Sequence, residues 1–477
     1  MNETALQKSN SAPVAVMLAL LFATLSVAAV SIHFFLQDEA LWNYIGWAWV
    51  RHGVPPYTGA FENKTPGIFF VYALSNISGG GWLFARMLGA AALTCGGYLV
   101  WRLASVLESE AAGLWSLAFY ALLILTDRTE FICIGYTESF MIFFTAAAFF
   151  VYAGAEADGA GLRLLSAGLL AGTAILFKQV AALSGFALLL WITCRTASGH
   201  KARRAALFLT GILAANAAAA ALLMCCGTKF GDYMDGTFLS LLGLLHNAGS
   251  GARSSWHLWF GQGLRLWGLW LVFAVPVALF ALSIPRRREN GIFILLWLAA
   301  DFAGVNLSGD YYRHQFRQLV PALALICGMV IARAEDLRIK LTGRQHALAA
   351  MFLVVWACAL TVRKLEAHGG ADNAPGAEFA GLMAADMTAP GDYVYICESR
   401  SSQAQNYSGR LSPSRYFNTL FVFGSRERSR LLADLSARPP ALVLVHGEAP
   451  TWLSGYLAIN NYEPAFEKYD YDFYRKR

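Results

Sequence analysis

Several short stretches of this chain place ionisable residues beside long apolar runs. Asp38 and Glu39 directly follow the first such run, and Glu62, Asn63 and Lys64 form a polar step before Pro66. Asp127, Glu130 and Glu138 surround a later turn. Lys178 stands between two apolar runs, and Arg313, His314 and Arg317 precede another, in Tyr311-Tyr-Arg-His-Gln-Phe-Arg. Ordinary structural roles exist for each. Carboxylates favour helix N-termini because of the dipole, a lysine can snorkel to the membrane surface, and arginines can meet lipid headgroups. Lys178 resists such an account best: no acidic residue is near it in sequence, and an ionisable group within membrane segments marks function by default. Carboxylates with cations at a membrane surface suit a substrate that carries a phosphate and a hydroxyl to be deprotonated. Cations would hold the phosphate as it leaves, and a carboxylate would take the proton. No glycine-rich nucleotide loop is present, so a nucleotide-sugar donor is unsupported.

The elements that must position these residues are transmembrane helices. Of 477 residues, 57% are hydrophobic and 14% charged, against about 25% charged in a soluble domain. Apolar runs near 12–35, 82–101, 111–126, 137–153, 164–177, 180–194, 205–224, 259–283, 291–306, 319–332 and 347–362 give about eleven spans. The first run is too long for a signal peptide and lacks a small-x-small cleavage site, so it reads as a retained helix. Basic clusters at Arg195 to Arg204, Arg286 to Arg288 and Arg333 to Arg344 fall on one side when the N-terminus is cytoplasmic, as the positive-inside rule requires. The loops at 36–81, 127–136, 225–258 and 307–318, the turn at Lys178, and the tail then share the external face. The eight cysteines show no metal or disulfide spacing. The net charge of +6 lies in loops, and no basic block suggests nucleic acid.

Two domains follow: a transmembrane domain over 1–363, with its first external loop at 36–81, and an external domain over 364–477. The tail carries β-like runs, Tyr393-Val-Tyr-Ile and Ala441-Leu-Val-Leu-Val, between turn residues, which predicts a small α/β domain. In the first loop, Asp38 to Val50 is helix-compatible, with Leu41, Trp42, Ile45 and Trp49 on one face, as in a helix lying in the interface plane. Gly53-Val-Pro-Pro should end it, and a second helix should begin at Pro66.

Leu36-Gln-Asp-Glu-Ala, Gly53-Val-Pro-Pro-Tyr and Glu62-Asn-Lys-Thr-Pro-Gly-Ile-Phe-Phe-Val-Tyr-Ala-Leu together resemble the first-loop signature of bacterial GT-C glycosyltransferases. The closest branch is that related to protein O-mannosyltransferases and the lipid A aminoarabinose transferase. Thr65 departs from the pattern, standing where members carry the first proline of Lys-Pro-Pro-Gly. Gly135-Tyr-Thr-Glu-Ser resembles the second acidic motif, with Glu138 where many members have Asp. Phe177-Lys-Gln resembles a lysine segment placed against the donor phosphate. Arg313-His-Gln-Phe-Arg-Gln-Leu-Val-Pro resembles the late His-Tyr-Phe…Leu-Pro-Pro segment, and Ser408-Gly-Arg-Leu-Ser-Pro-Ser-Arg-Tyr-Phe is similar to part of the C-terminal domain in some members. The motifs occur in order over nearly the whole chain.

The resemblance implies an α-helical polytopic membrane protein, GT-C-like, in a bacterial inner membrane, with its C-terminal domain periplasmic. It implies a polyprenyl-phosphate sugar as donor, a glycan, lipid or protein hydroxyl as acceptor, and inversion at the anomeric carbon. Asp38 is the expected base, with Glu39 and Glu138 positioning it or the acceptor. Lys64, Lys178, Arg313, His314 and Arg317 are expected to hold the phosphate. So many cations make a metal cofactor unnecessary, although Asp38, Glu39 and Glu138 could hold a divalent ion as in oligosaccharyltransferase relatives. The rival class is a lipid or glycan flippase, whose signature would be an internal repeat and broken helices at the bilayer midplane. Neither is visible in the sequence.

Overall fold

The computed structural model describes residues 11–126, 133–153, 160–196, 198–240, 274–283, 288–307, 312–333, 341–368, 375–398, 402–422 and 424–477. Its helices are α1 (Ser11–Ser31), α2 (Gln37–His52), α3 (Gly67–Ile77), α4 (Gly81–Leu107), α5 (Glu110–Thr126), α6 (Thr137–Ala153), α7 (Ala160–Phe177), α8 (Ala181–Arg195), α9 (Lys201–Cys225), α10 (Phe230–Met234), α11 (Ala274–Ser283), α12 (Arg288–Leu307), α13 (Val320–Arg333), α14 (Gly343–His368), α15 (Pro375–Asp386), α16 (Gln403–Ser408), α17 (Ser425–Ala437) and α18 (Thr451–Ile459). The strands are β1 (Val394–Cys397), β2 (Leu442–His446), β3 (Tyr462–Lys468) and β4 (Tyr471–Lys476). The expected span at 259–283 is described only over α11. Asp127, Glu130, Arg286, Arg287, Arg338 and Lys340 lie outside the described residues.

The chain divides into two compact units. The first comprises residues 1–32, 86–219 and 245–369, and the second 33–85, 220–244 and 370–477. Among the described residues, six helices are long and apolar enough to cross a membrane: Ala12–Ser31, Gly81–Leu107, Lys201–Cys225, Asn290–Leu307, His314–Arg333 and Gly343–Glu366. Shorter apolar helices accompany them, including α5, α6, α7 and α8.

Within the first unit, α5 packs on α13 and α14, α6 on α7, and α12 on α8. The α5–α13 contact is close because Gly328 lies against the backbone of Ala112 and Ser116. Small residues at such a crossing let two backbones approach, which is how apolar helices associate where the surroundings are equally apolar. Arg86 on α4 is fully buried and donates to the carbonyls of Ala29 and Ile32, at 3.3 and 2.7 Å. It thereby satisfies carbonyls that the end of α1 leaves open.

The second unit holds the α/β tail the sequence predicted. Its sheet has the order β1-β2-β4-β3, with β1 parallel to β2 and the other pairs antiparallel. β3 and β4 are joined by Tyr469 and Asp470, both at positive φ, the requirement of a type I′ hairpin turn. Ala377, Ala380 and Ala384 of α15 pack on Val394, Ile396, Leu442, Leu444 and Phe473 to form its core.

The helix predicted near 38–50 exists as α2. Gly53 stops it at φ 66°, donating its N–H to Trp49 O at 3.0 Å. Most of the apolar face of α2 is covered by protein. Leu41, Trp42 and Ile45 are buried, and so are Asn43 and Tyr44. Gly46 lets α2 approach the backbone of α3 at Tyr72. On the other side Asn43 donates to Asn406 of α16 at 2.8 Å, and Tyr44 Oη accepts the N–H of Ser412 at 2.8 Å. Polar groups with such partners lose little on leaving water.

Candidate functional site

The first unit gathers an ion cluster at the start of α6. Glu138 stands in the first turn of α6 and is 2% exposed. Its Oε1 accepts from Lys178 Nζ at 2.5 Å, and His314 Nε2 lies 4.0 Å from the same oxygen. Its Oε2 accepts from Thr137 Oγ1 at 2.9 Å. Lys178 occupies the tight turn between α7 and α8, as its position in the sequence suggested. Phe177 beside it stacks on Phe140 and Phe144 of α6, at centroid distances of 5.0 and 5.6 Å. That stack presses the Lys178 turn against the helix carrying Glu138.

His314 and Arg317 lie on a 3₁₀ segment, Arg313–Leu319, that runs into α13. Residues three apart eclipse in a 3₁₀ helix, so both reach toward the start of α6. The His314 ring packs edge-on to Tyr136 at 5.2 Å and stacks on Tyr312 at 5.7 Å. Arg317 is 2% exposed. It donates to the Cys133 carbonyl and to Ser139 Oγ, the latter at 3.3 Å. The Arg313 side chain lies outside the described residues. Behind these residues is Asp301, a carboxylate sequence reasoning passed over. A single acid in the apolar run of α12 was the available signal.

The second unit holds the other expected residues. Asp38 is half-exposed in the first turn of α2 and has no hydrogen-bond or ion-pair partner among the described residues. Glu39 is buried and turns back to accept the N–H of Leu36 at 3.3 Å. That is the capping role an acid takes at a helix start. Glu62 is buried, with Oε2 accepting from Trp42 Nε1 at 2.8 Å and Oε1 from the Asn63 N–H at 2.9 Å. Burial pushes its pKa above the usual carboxylate range, with the Asp38 charge adding to the rise and Lys64 and Trp42 opposing it. Lys64 reaches Asn63 Oδ1 at 3.5 Å, and its carbonyl accepts from Tyr57 Oη at 2.6 Å. Glu62 belongs to the first-loop motif, yet sequence reasoning gave it no role of its own.

A further cluster was invisible in the sequence. Arg415 is 2% exposed and meets Asp232 and Asp235, each at 2.7 Å. Its guanidinium lies over Phe61 and Tyr416, at 4.5 and 4.9 Å, and donates to the Tyr57 carbonyl at 3.2 Å. It therefore ties three distant stretches of the second unit together. Among the described residues no three His, Cys, Asp or Glu side chains gather to hold a metal ion.

No family model matches the chain, and no curated protein does. Solved structures do match. ArnT from Cupriavidus metallidurans bound to undecaprenyl phosphate superposes with a TM-score of 0.64 at 15% identity, covering 98% of each chain. The chain has the ArnT fold. The archaeal oligosaccharyltransferase AglB from Archaeoglobus fulgidus, in complex with an inhibitory peptide and a dolichol-phosphate, matches at 0.53 and 12% identity, over 97% of this chain and 74% of that one. The Archaeoglobus fulgidus oligosaccharyltransferase in complex with Zn and sulfate matches at 0.54 and 11%, over 90% and 68%. ArnT and AglB are both GT-C proteins, so the fold the motifs implied is the one found. In this ArnT fold the conspicuous ionic residues of the first unit converge at the start of α6. Those of the first loop belong to the second unit.

Proposed function

We propose that this protein is a GT-C glycosyltransferase of a bacterial inner membrane. It moves a sugar from a polyprenyl-phosphate donor to a hydroxyl of a glycan, lipid or protein on the extracytoplasmic face. The observation that carries the reading is the group formed by buried Glu138 with part-buried Lys178 and His314, and with buried Arg317 anchored beside it. Two permanent cations against one carboxylate leave an excess of positive charge where burial weakens screening. Such a group suits a phosphate monoester or diester and makes little sense as an isolated structural pair. The likeness in fold to a protein crystallised with undecaprenyl phosphate supports the same donor class.

In this reading Glu138 holds Lys178 and His314 in place, Lys178, His314, Arg317 and Arg313 are the donor-phosphate residues of the first unit, and Lys64 is the one expected from the second. Asp38 is the base. It takes the proton from the acceptor hydroxyl as the oxygen bonds to the anomeric carbon. The bond from that carbon to the phosphate oxygen breaks, its electron pair leaves with polyprenyl phosphate, and the centre inverts. Asp38 suits the role because its carboxylate has no hydrogen-bond or ion-pair partner among the described residues, whereas Glu39 caps α2. Phosphate is a good leaving group when cations hold it, so the reading calls on no metal. The test is incubation of purified protein with a polyprenyl-phosphate sugar. Transfer or slow hydrolysis is expected, and Asp38→Asn should lower turnover by about 10²–10⁴-fold with donor binding kept. Wild-type turnover in Asp38→Asn would remove Asp38 from the role.

A further inference from the structure

We propose that Asp301 is a positioning residue that fixes the separation of the Lys178 turn from the His314–Arg317 segment, and so sets the affinity of the phosphate site. The inference rests on the phosphate reading above. Asp301 lies inside α12 and is buried. Its Oδ1 accepts from Ser184 Oγ at 2.5 Å and from Gln318 Nε2 at 3.2 Å. Ser184 is in the first turns of α8, directly beyond the Lys178 turn, and Gln318 is the neighbour of Arg317. One oxygen thus joins the two segments that carry the cations.

Two further observations set this apart from incidental polar pairing. Thr94 and Thr126 in this unit bond to carbonyls four residues back, Ala90 O and Leu122 O, and Thr361 keeps its own such bond, to Ala357 O, while also reaching Leu125 O of α5. Ser184 had that local option and instead reaches another helix. Gly304, three residues along the same helix, supplies the second observation. A Cβ there would come within 2.6 Å of Gln318 Nε2. The helix that supplies the acceptor is also cut away to seat the donor.

Cations that share one phosphate must hold their spacing closely, since a displacement of about 1 Å is enough to lose binding or rate. The experiment measures polyprenyl phosphate binding and thermal midpoint for Asp301→Asn, Asp301→Leu, Gly304→Ala and Lys178→Met. Asp301→Leu and Gly304→Ala should each weaken binding by about tenfold, the scale for loss of a supporting group. Asp301→Asn retains an accepting Oδ1 and should recover most of the affinity. Should Asp301→Leu fail to fold, Gly304→Ala, which leaves the acid in place, decides alone. Weak binding by Lys178→Met with wild-type affinity in Asp301→Leu and Gly304→Ala overturns the proposal and leaves the phosphate reading standing, even if their midpoints fall. Wild-type affinity in Lys178→Met instead overturns the phosphate reading itself.

Discussion

Removing the Lys178 ammonium should do two separable kinds of damage. In Lys178→Ala, Glu138 keeps Thr137 at 2.9 Å and His314 at 4.0 Å, but loses its donor at 2.5 Å. Breaking a buried ion pair from one side typically costs about 3–5 kcal/mol, because the remaining charge is uncompensated. Lys178 is 15% exposed and His314 remains nearby, so the low end, about 3 kcal/mol, is expected. Combining Lys178→Met with Glu138→Gln removes both charges, and a neutral replacement of a buried pair is often close to neutral in stability. Most of the lost stability should return in the double variant. Phosphate affinity should not return. A charge-assisted hydrogen bond contributes about 1.5–3 kcal/mol, and about 1.4 kcal/mol is tenfold in affinity. Both variants should therefore bind polyprenyl phosphate about ten- to a hundredfold more weakly. The assay pairs unfolding in detergent with equilibrium binding of a labelled polyprenyl phosphate. A double variant that is stable and binds like wild type would refute the placement of the phosphate at Lys178. A Lys178→Ala protein as stable as wild type would refute the energetic account of the pair.

Other outcomes follow from the second unit and the topology. Burial raises the Glu62 pKa above 4.5, so the folded state holds that proton more tightly than the unfolded chain. Its contribution to stability is therefore full below the ordinary value and is lost as pH rises through the folded one. Glu62→Gln should flatten that part of the midpoint-against-pH curve, and an unchanged curve would contradict the assignment. Arg415→Met leaves Asp232 and Asp235 without their main partner and should destabilise the second unit by about 3 kcal/mol, read as faster proteolysis of the 375–477 segment. Arg415→Lys should restore only part of this, since an ammonium cannot bridge two carboxylates as a guanidinium fork does. In a background without native cysteines, Gly391→Cys should react with an impermeant thiol reagent from outside, and Gly199→Cys and Gly343→Cys should not. Equal labelling of all three would undo the common external face.

The sequence was most legible where local chemistry decides local structure. Gly53 ends α2, Pro66 precedes α3, and the two apolar β-like runs became β1 and β2. The turn at Lys178 was visible because two apolar runs meet there. Its partner was not, since Glu138 lies 40 residues away and its first-turn position already had a sufficient explanation in the helix dipole. The burial of α2 was not visible for a related reason. An apolar face rich in tryptophan looks the same whether lipid or protein covers it, and the covering residues, Asn406 and Ser412, lie 363 and 368 positions from their partners in α2. Asp232, Asp235 and Arg415 carry no local pattern at all, because only folding brings an arginine near 415 to acids near 235.

That long reach has a consequence for how the chain is made. Trp42, Asn43, Tyr44 and Phe61 are buried in the finished second unit, yet several of their partners are encoded near the C-terminus. Phe61 donates its N–H to the Arg415 carbonyl at 2.9 Å, and Asn43 awaits Asn406. Translation at about 5–20 residues per second separates the two ends by about 18–73 s. Throughout that interval the first loop has left the ribosome with its apolar face and amides uncovered. It is in the condition of a nascent segment that needs a holding chaperone or the translocation machinery beside it. A stop codon anywhere before residue 406 makes that condition permanent, so early truncation should be read by quality-control proteases at the first loop rather than at the new end.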